Sequence, residues 1–135
     1  MTLLATGVDL CDMRRIERVL ERFGARFLER VFTPCERAAA ERRAGAARLG
    51  TYAKRWAAKE ACAKALGTGF AQGVAHNQIG VESLASGQPV LVLTGAAAQR
   101  LAQLVPVGHK PELMLSMTDE HPYAFAQVFI SVRAG

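Results

Sequence analysis

Residues 51–69 read TYAKRWAAKEACAKALGTG. The stretch is dense in Ala, Lys, Glu and Leu, all good helix formers, and it closes on Gly67, the residue type that most often stops a helix. The composition predicts a helix over 52–66. At 100° per residue Glu60 lies about 40° from Trp56 and about 60° from Ala63, inside the stripe formed with Tyr52 and Ala53. A charge therefore sits on the apolar face of the most strongly marked helix of the chain.

Working outward toward the N-terminus, Thr33-Pro34-Cys35-Glu36 is a capping box with proline at the first helical position. A helix should start there and run into the Ala- and Arg-rich stretch 37–48, weakened at Gly45 and ended at Gly50. Residues 2–10 read as a short apolar strand with Asp9 at its end. Asp12 can cap a helix over 13–23, where Met13, Ile16, Leu20 and Phe23 form one stripe and Gly24 supplies the stop. Its other face carries Arg14, Arg15, Arg18 and Arg22, and a further helical run, ARFLERVF, adds Arg26 and Arg30.

Toward the C-terminus GTGFAQGV reads as loop, with three glycines in seven residues allowing close backbone approach. IGVESL and PVLVL read as strands joined by ASGQ, and Thr94 can cap a helix over 95–104. ELMLSMT and YAFAQVFISV alternate, with Asp119-Glu120-His121-Pro122 as turn chemistry between them, which predicts an antiparallel pair. The elements make an α+β chain, a single domain over 1–135.

Composition agrees. The 135 residues are 50% hydrophobic and 21% charged, as in a globular domain able to form a core without disulfides. Cys11, Cys35 and Cys62 form no CxxC pair and read as small packing residues in a reducing compartment. The N-terminus lacks the basic region of a signal peptide and no apolar run approaches a membrane span, so the cytoplasm is expected. The formal charge of +5 is uneven: residues 1–64 hold 14 basic and 8 acidic side chains, residues 65–135 hold 3 and 4. An excess of this kind fits an anionic partner such as nucleic acid, a phosphorylated ligand or an acidic protein.

Two carboxylates stand out. Asp9, at the end of an apolar strand, must be exposed, paired or bound to a cation; a turn residue or a second helix cap are the ordinary alternatives. For Glu60 the ordinary alternative is an i, i+4 pair with Lys64. With no Cys/His cluster nearby, two carboxylates suit a hard ion such as Mg²⁺, which is usually shared with substrate phosphates. Lys54, Arg55, Lys59 and Lys64, followed by Gly67-Thr68-Gly69, then fit phosphate handling, against the plain reading of a solvated helix face with a glycine stop. His76, His109 and His121 are far apart in the chain and give no metal spacing. Trp56 and most phenylalanines fall at core spacings rather than among the basic residues, which weighs against a base-stacking surface. A basic nucleic-acid-binding module is the second reading of the charge.

The run from Ala53 to Ala61 with Lys64-Ala65-Leu66-Gly67-Thr68-Gly69 resembles the signature of the holo-[acyl-carrier-protein] synthase family, small stand-alone phosphopantetheinyl transferases of bacteria. Gly7-Val8-Asp9-Leu10 with Arg15-Ile16, Phe32-Thr33-Pro34-Cys35-Glu36 and Gly87-Gln88-Pro89 resemble three further motifs of that family. The resemblance covers almost the whole chain. It implies an antiparallel sheet packed against helices, and transfer of 4′-phosphopantetheine from coenzyme A to a serine of apo acyl carrier protein, releasing adenosine 3′,5′-bisphosphate. It also implies Mg²⁺ held by Asp9 and Glu60, Lys64 near the phosphates, and Arg15, Arg22 and Arg26 docking an acidic carrier helix. A homotrimer with clefts between subunits is implied too, with neither nucleic acid nor membrane as partner. Asp119 stands where many members of the family carry histidine, which leaves the serine proton to Glu60, Asp119 or a metal-bound water.

Overall fold

Strand β1 (Thr2–Asp12) opens the chain and pairs antiparallel with the last strand, β5 (Tyr123–Ala134), which pairs in turn with β4 (His109–Glu120). The computed structural model describes residues 1–135. The β4–β5 connection is the expected turn, narrowed to His121-Pro122, whose peptide bond is cis. A separate antiparallel hairpin is made by β2 (Ile79–Ser83) and β3 (Pro89–Leu93), as IGVESL and PVLVL predict.

Between β1 and β2 lie four helices: α1 (Met13–Phe23), α2 (Ala25–Val31), α3 (Pro34–Glu41) and α4 (Gly45–Leu66). Asp12 caps α1, accepting the Arg14 amide at 3.0 Å. The Arg14 guanidinium on the same carboxylate holds the Asp12 carboxyl down at about 2. The capping box opens α3 as expected: the Glu36 amide donates to Thr33 Oγ1 and the Thr33 amide to Glu36 Oε1.

The helix after the capping box differs from expectation. It stops at Glu41, and α4 starts at Gly45, passing through Gly50 to Leu66. The chain turns where Gly45 takes φ +56°, a conformation costly to any other residue. Gly50 stays helical because β4 packs on it: a Cβ there would stand 2.6 Å from Asp119 Oδ2. Tertiary packing outweighs the roughly 1 kcal/mol a mid-helix glycine costs.

Helix α5 (Gly95–Leu104) has the predicted bounds, but Thr94 makes no side-chain cap. Gln78 supplies it from across the fold, its Oε1 accepting the Ala97 amide at 3.2 Å. The cysteines also divide: Cys11 and Cys62 are buried as expected, whereas Cys35 is exposed.

Helix α4 lies across the sheet. Alternation puts Ala5, Gly7, Asp9 and Cys11 on the face of β1 that meets it. A Cβ on Gly7 would fall 1.9 Å from the Ala61 carbonyl oxygen, so strand and helix backbones touch there. Ala53, Ala57, Ala58 and Ala61 are fully buried, and their small side chains permit the approach.

Candidate active site

The close contact at Gly7 places the next inward residue, Asp9, beside the helix one turn beyond Ala61. Lys64 Nζ donates to Asp9 Oδ1 at 3.0 Å and to the Val8 carbonyl at 2.9 Å. Glu60 sits one turn before Lys64 on the same helix face. Burial first, with Asp9, Asp12 and Glu60 adding and Arg15 opposing, pushes the Cys11 thiol up to about 11. Lys64 therefore pairs with Asp9 rather than with Glu60, whose partner is His76 at 3.4 Å. This partner lies 16 residues on, past a glycine loop, where no helical spacing could reveal it.

Asp9 and Glu60 are hard oxygen donors on adjoining elements, the ligand type a divalent cation such as Mg²⁺ takes, and at Asp9 Oδ1 such a cation would compete with the Lys64 ammonium. No three His, Cys, Asp or Glu side chains converge as a ready-made metal cluster. The rest of a cation's shell would come from substrate oxygens and water.

The loop Gly67-Thr68-Gly69 closes α4 beside this cluster. Gly67 takes the left-handed cap at φ +80°, the Gly69 amide donates to the Ala63 carbonyl, and Arg100 Nε binds the Leu66 carbonyl.

Lys54 and Arg55 lie elsewhere. With Arg42 and Arg43 they line an open cavity of about 500 Å³ between α3, α4 and the β2–β3 hairpin, whose Gly87 and Pro89 form part of its wall. Lys54 is paired with Asp119 at 3.2 Å. Arg55 is buried, its Nε without a hydrogen-bond partner. A buried cation with a spare donor suits an anionic partner, which makes this arginine-lined cavity a candidate anion site. The composition of 37–48 registered Arg42 and Arg43 only as charge.

Lys59 belongs to neither group. The structure corrects the expectation that it handles phosphate: its ammonium is fully buried and donates to Glu36 Oε1 (2.7 Å), the Ile79 carbonyl (2.7 Å) and the His76 carbonyl (3.0 Å). All three protons are used. Burial pushes its pKa below the usual range for an ammonium, and Glu36 opposes that shift.

On α1 and α2, Arg15, Arg22 and Arg26 are exposed and form no ion pair; Arg22 lies over the Phe23 ring at 5.2 Å. Trp56 and Phe70 stack on the two sides of His76 rather than among the arginines. A base-stacking nucleic-acid surface, which interleaves aromatic rings with the basic groups, is not favoured.

A sheet-on-helix α+β domain with carboxylates on β1 and α4 and a glycine loop closing that helix defines a class, and comparison agrees: the chain belongs to the 4′-phosphopantetheinyl transferase superfamily, whose family model matches residues 5–126. Within it, the chain is 64% identical over 129 residues to the holo-[acyl-carrier-protein] synthase of Granulibacter bethesdensis, covering 96% of this chain and 89% of that protein. The crystal structure of the Neisseria meningitidis holo-[acyl-carrier-protein] synthase superposes with TM-score 0.80 at 32% identity, covering 96% and 98% of the two chains. The Bacillus anthracis synthase, in a structure with CoA (3′,5′-ADP), gives TM-score 0.75 at 30% identity, covering 96% and 97%.

Proposed function

We infer that this chain is a holo-[acyl-carrier-protein] synthase: it moves 4′-phosphopantetheine from CoA to a serine of apo acyl carrier protein and releases adenosine 3′,5′-bisphosphate. The observation that carries this reading is the pairing of the Asp9, Glu60 and Lys64 cluster with a second, arginine-lined cavity. CoA presents a pyrophosphate and a separate 3′-phosphate, so it needs two anion sites. Asp9 and Glu60 would hold Mg²⁺ against the pyrophosphate, where it would neutralise charge on the phosphoryl oxygens and favour departure of the nucleotide. Lys64, already on Asp9, would meet a phosphate oxygen. Arg42, Arg43 and Arg55 suit the 3′-phosphate, with the orphaned Arg55 Nε gaining an acceptor. Incubation with apo carrier protein, CoA and Mg²⁺ should add the mass of phosphopantetheine to the carrier; no mass gain would refute the reading.

The unpaired arginines of α1 and α2 fit an acidic helix of the carrier. Arg15→Glu with Arg22→Glu is expected to raise KM for the carrier about tenfold, which is ~1.4 kcal/mol, while kcat stays within about twofold. An unchanged KM places docking elsewhere.

Assembly as a homotrimer fits the sheet face turned away from α4. There Val8, Leu10 and Met114 are 45%, 64% and 50% exposed, with Phe125 beside them, an apolar patch that a monomer would leave wet. Light scattering should give three times the 14.5 kDa chain mass. Phe125→Glu should shift the species to monomer, and a monomeric wild type would refute the assembly. A cytoplasmic location is part of the same proposal; no helix is long and apolar enough to cross a membrane.

A further inference from the structure

We propose that His76 is a positioning residue that fixes the Glu60 carboxylate for its cation, an inference that rests on the reading of Glu60 as a metal ligand. The histidine is held at three points. Its carbonyl accepts from the buried Lys59 ammonium at 3.0 Å. Its ring lies between Trp56, with centroids 4.6 Å apart and planes 18° from parallel, and Phe70, at 3.6 Å and 12°. Its Nε2 stands 3.4 Å from Glu60 Oε1.

Each contact does different work. The backbone bond sets the height of the residue along α4. The two stacked rings fix the plane of the imidazole, which cannot turn without losing both contacts. The carboxylate only accepts, so the tautomer with a proton on Nε2 donates to Oε1 and leaves Oε2 without a hydrogen-bond partner. No other side chain hydrogen-bonds to Glu60, a partly exposed residue with three rotatable bonds. Trp56 and Glu60 are one helical turn apart, so the ring that stacks on Trp56 brings its Nε2 edge to the carboxylate. Phe70 adds a link to the glycine loop. Partners of this kind orient the ligands of metal sites, and their loss typically weakens the metal about 10- to 100-fold.

The test uses His76→Phe, which keeps an aromatic ring in the stack and removes the nitrogen. Mn²⁺ titrated into the full-length enzyme with CoA, followed by the EPR signal of the free ion, is expected to bind the variant about tenfold more weakly than wild type. Transfer by the variant should need correspondingly more Mg²⁺ and return to near wild-type kcat at saturation, a recovery that a folding defect would not give. His76→Gln, which keeps an N–H donor, should retain more Mn²⁺ affinity than His76→Leu, which keeps none; this pair serves if the phenylalanine variant fails to fold. Equal Mn²⁺ affinity in wild type and His76→Phe, equal affinity in the Gln and Leu variants, or a loss of kcat that saturating Mg²⁺ does not repair overturns the proposal. A wild type that binds no Mn²⁺ refutes the cation reading of Glu60 itself, and is told apart because no variant enters that result.

Discussion

Glu60→Gln is expected to lower phosphopantetheine transfer by about a hundredfold or more, while the melting temperature moves by no more than about 2 °C. The two halves of this result have separate causes. Glutamine matches glutamate in size, and Glu60 is a partly exposed side chain whose one hydrogen-bond partner, His76, can donate equally to an amide oxygen. Little of the fold depends on its charge. The reaction depends on it heavily, because a neutral amide leaves Asp9 as the sole carboxylate at the cation site, and Lys64 is already drawn onto that group. Losing one of two anionic ligands is worth on the order of 3 kcal/mol of transition-state charge stabilisation, which is about a hundredfold in rate. Mass spectrometry of the carrier over time, beside a thermal melt, measures both halves. A variant rate within about threefold of wild type would remove Glu60 from the metal site.

How far the sequence foretold this site depends on the distance over which each feature is encoded. The capping box at Thr33-Pro34-Cys35-Glu36, the Asp12 cap and the hairpin are local patterns, and the structure contains them as read. Asp9 was detectable as a carboxylate at the expected end of an apolar strand, although β1 runs on to Asp12, and Glu60 because a charge falls on the apolar helix face. The features that escaped are set by partners distant in the chain. Gly50 stays helical because Asp119 packs on it from β4, and α5 is capped by Gln78 rather than by its neighbour Thr94. His76 meets Glu60 only because the loop after Gly67 folds back along α4. Four cations on one helix read as a single phosphate-handling set, yet α4 turns Lys54 and Arg55 toward one cavity, Lys64 toward Asp9 and Lys59 into the core.

Lys59→Ala is expected to destabilise the fold by about 3–5 kcal/mol, the usual result of removing one member of a buried ion pair. The size follows from what is left behind. Glu36 is fully buried, and its carboxylate accepts the Thr33 amide at 2.8 Å, the Val81 amide at 2.9 Å and Lys59 Nζ at 2.7 Å. The pair thus ties the start of α3, the middle of α4 and strand β2 into one knot. Taking away the ammonium leaves a negative charge in the core and strands two carbonyls, of His76 and Ile79, without their donor. Urea unfolding should show the midpoint falling with little change in slope. Adding Glu36→Gln to Lys59→Ala should recover part of the loss, because it removes the orphaned charge while the amide oxygen can still accept from a backbone N–H. That recovery separates an electrostatic cause from a simple cavity, which the second substitution would not mend. A single variant as stable as wild type, or a double variant less stable than the single, would mean that the ammonium is not what holds these three elements together.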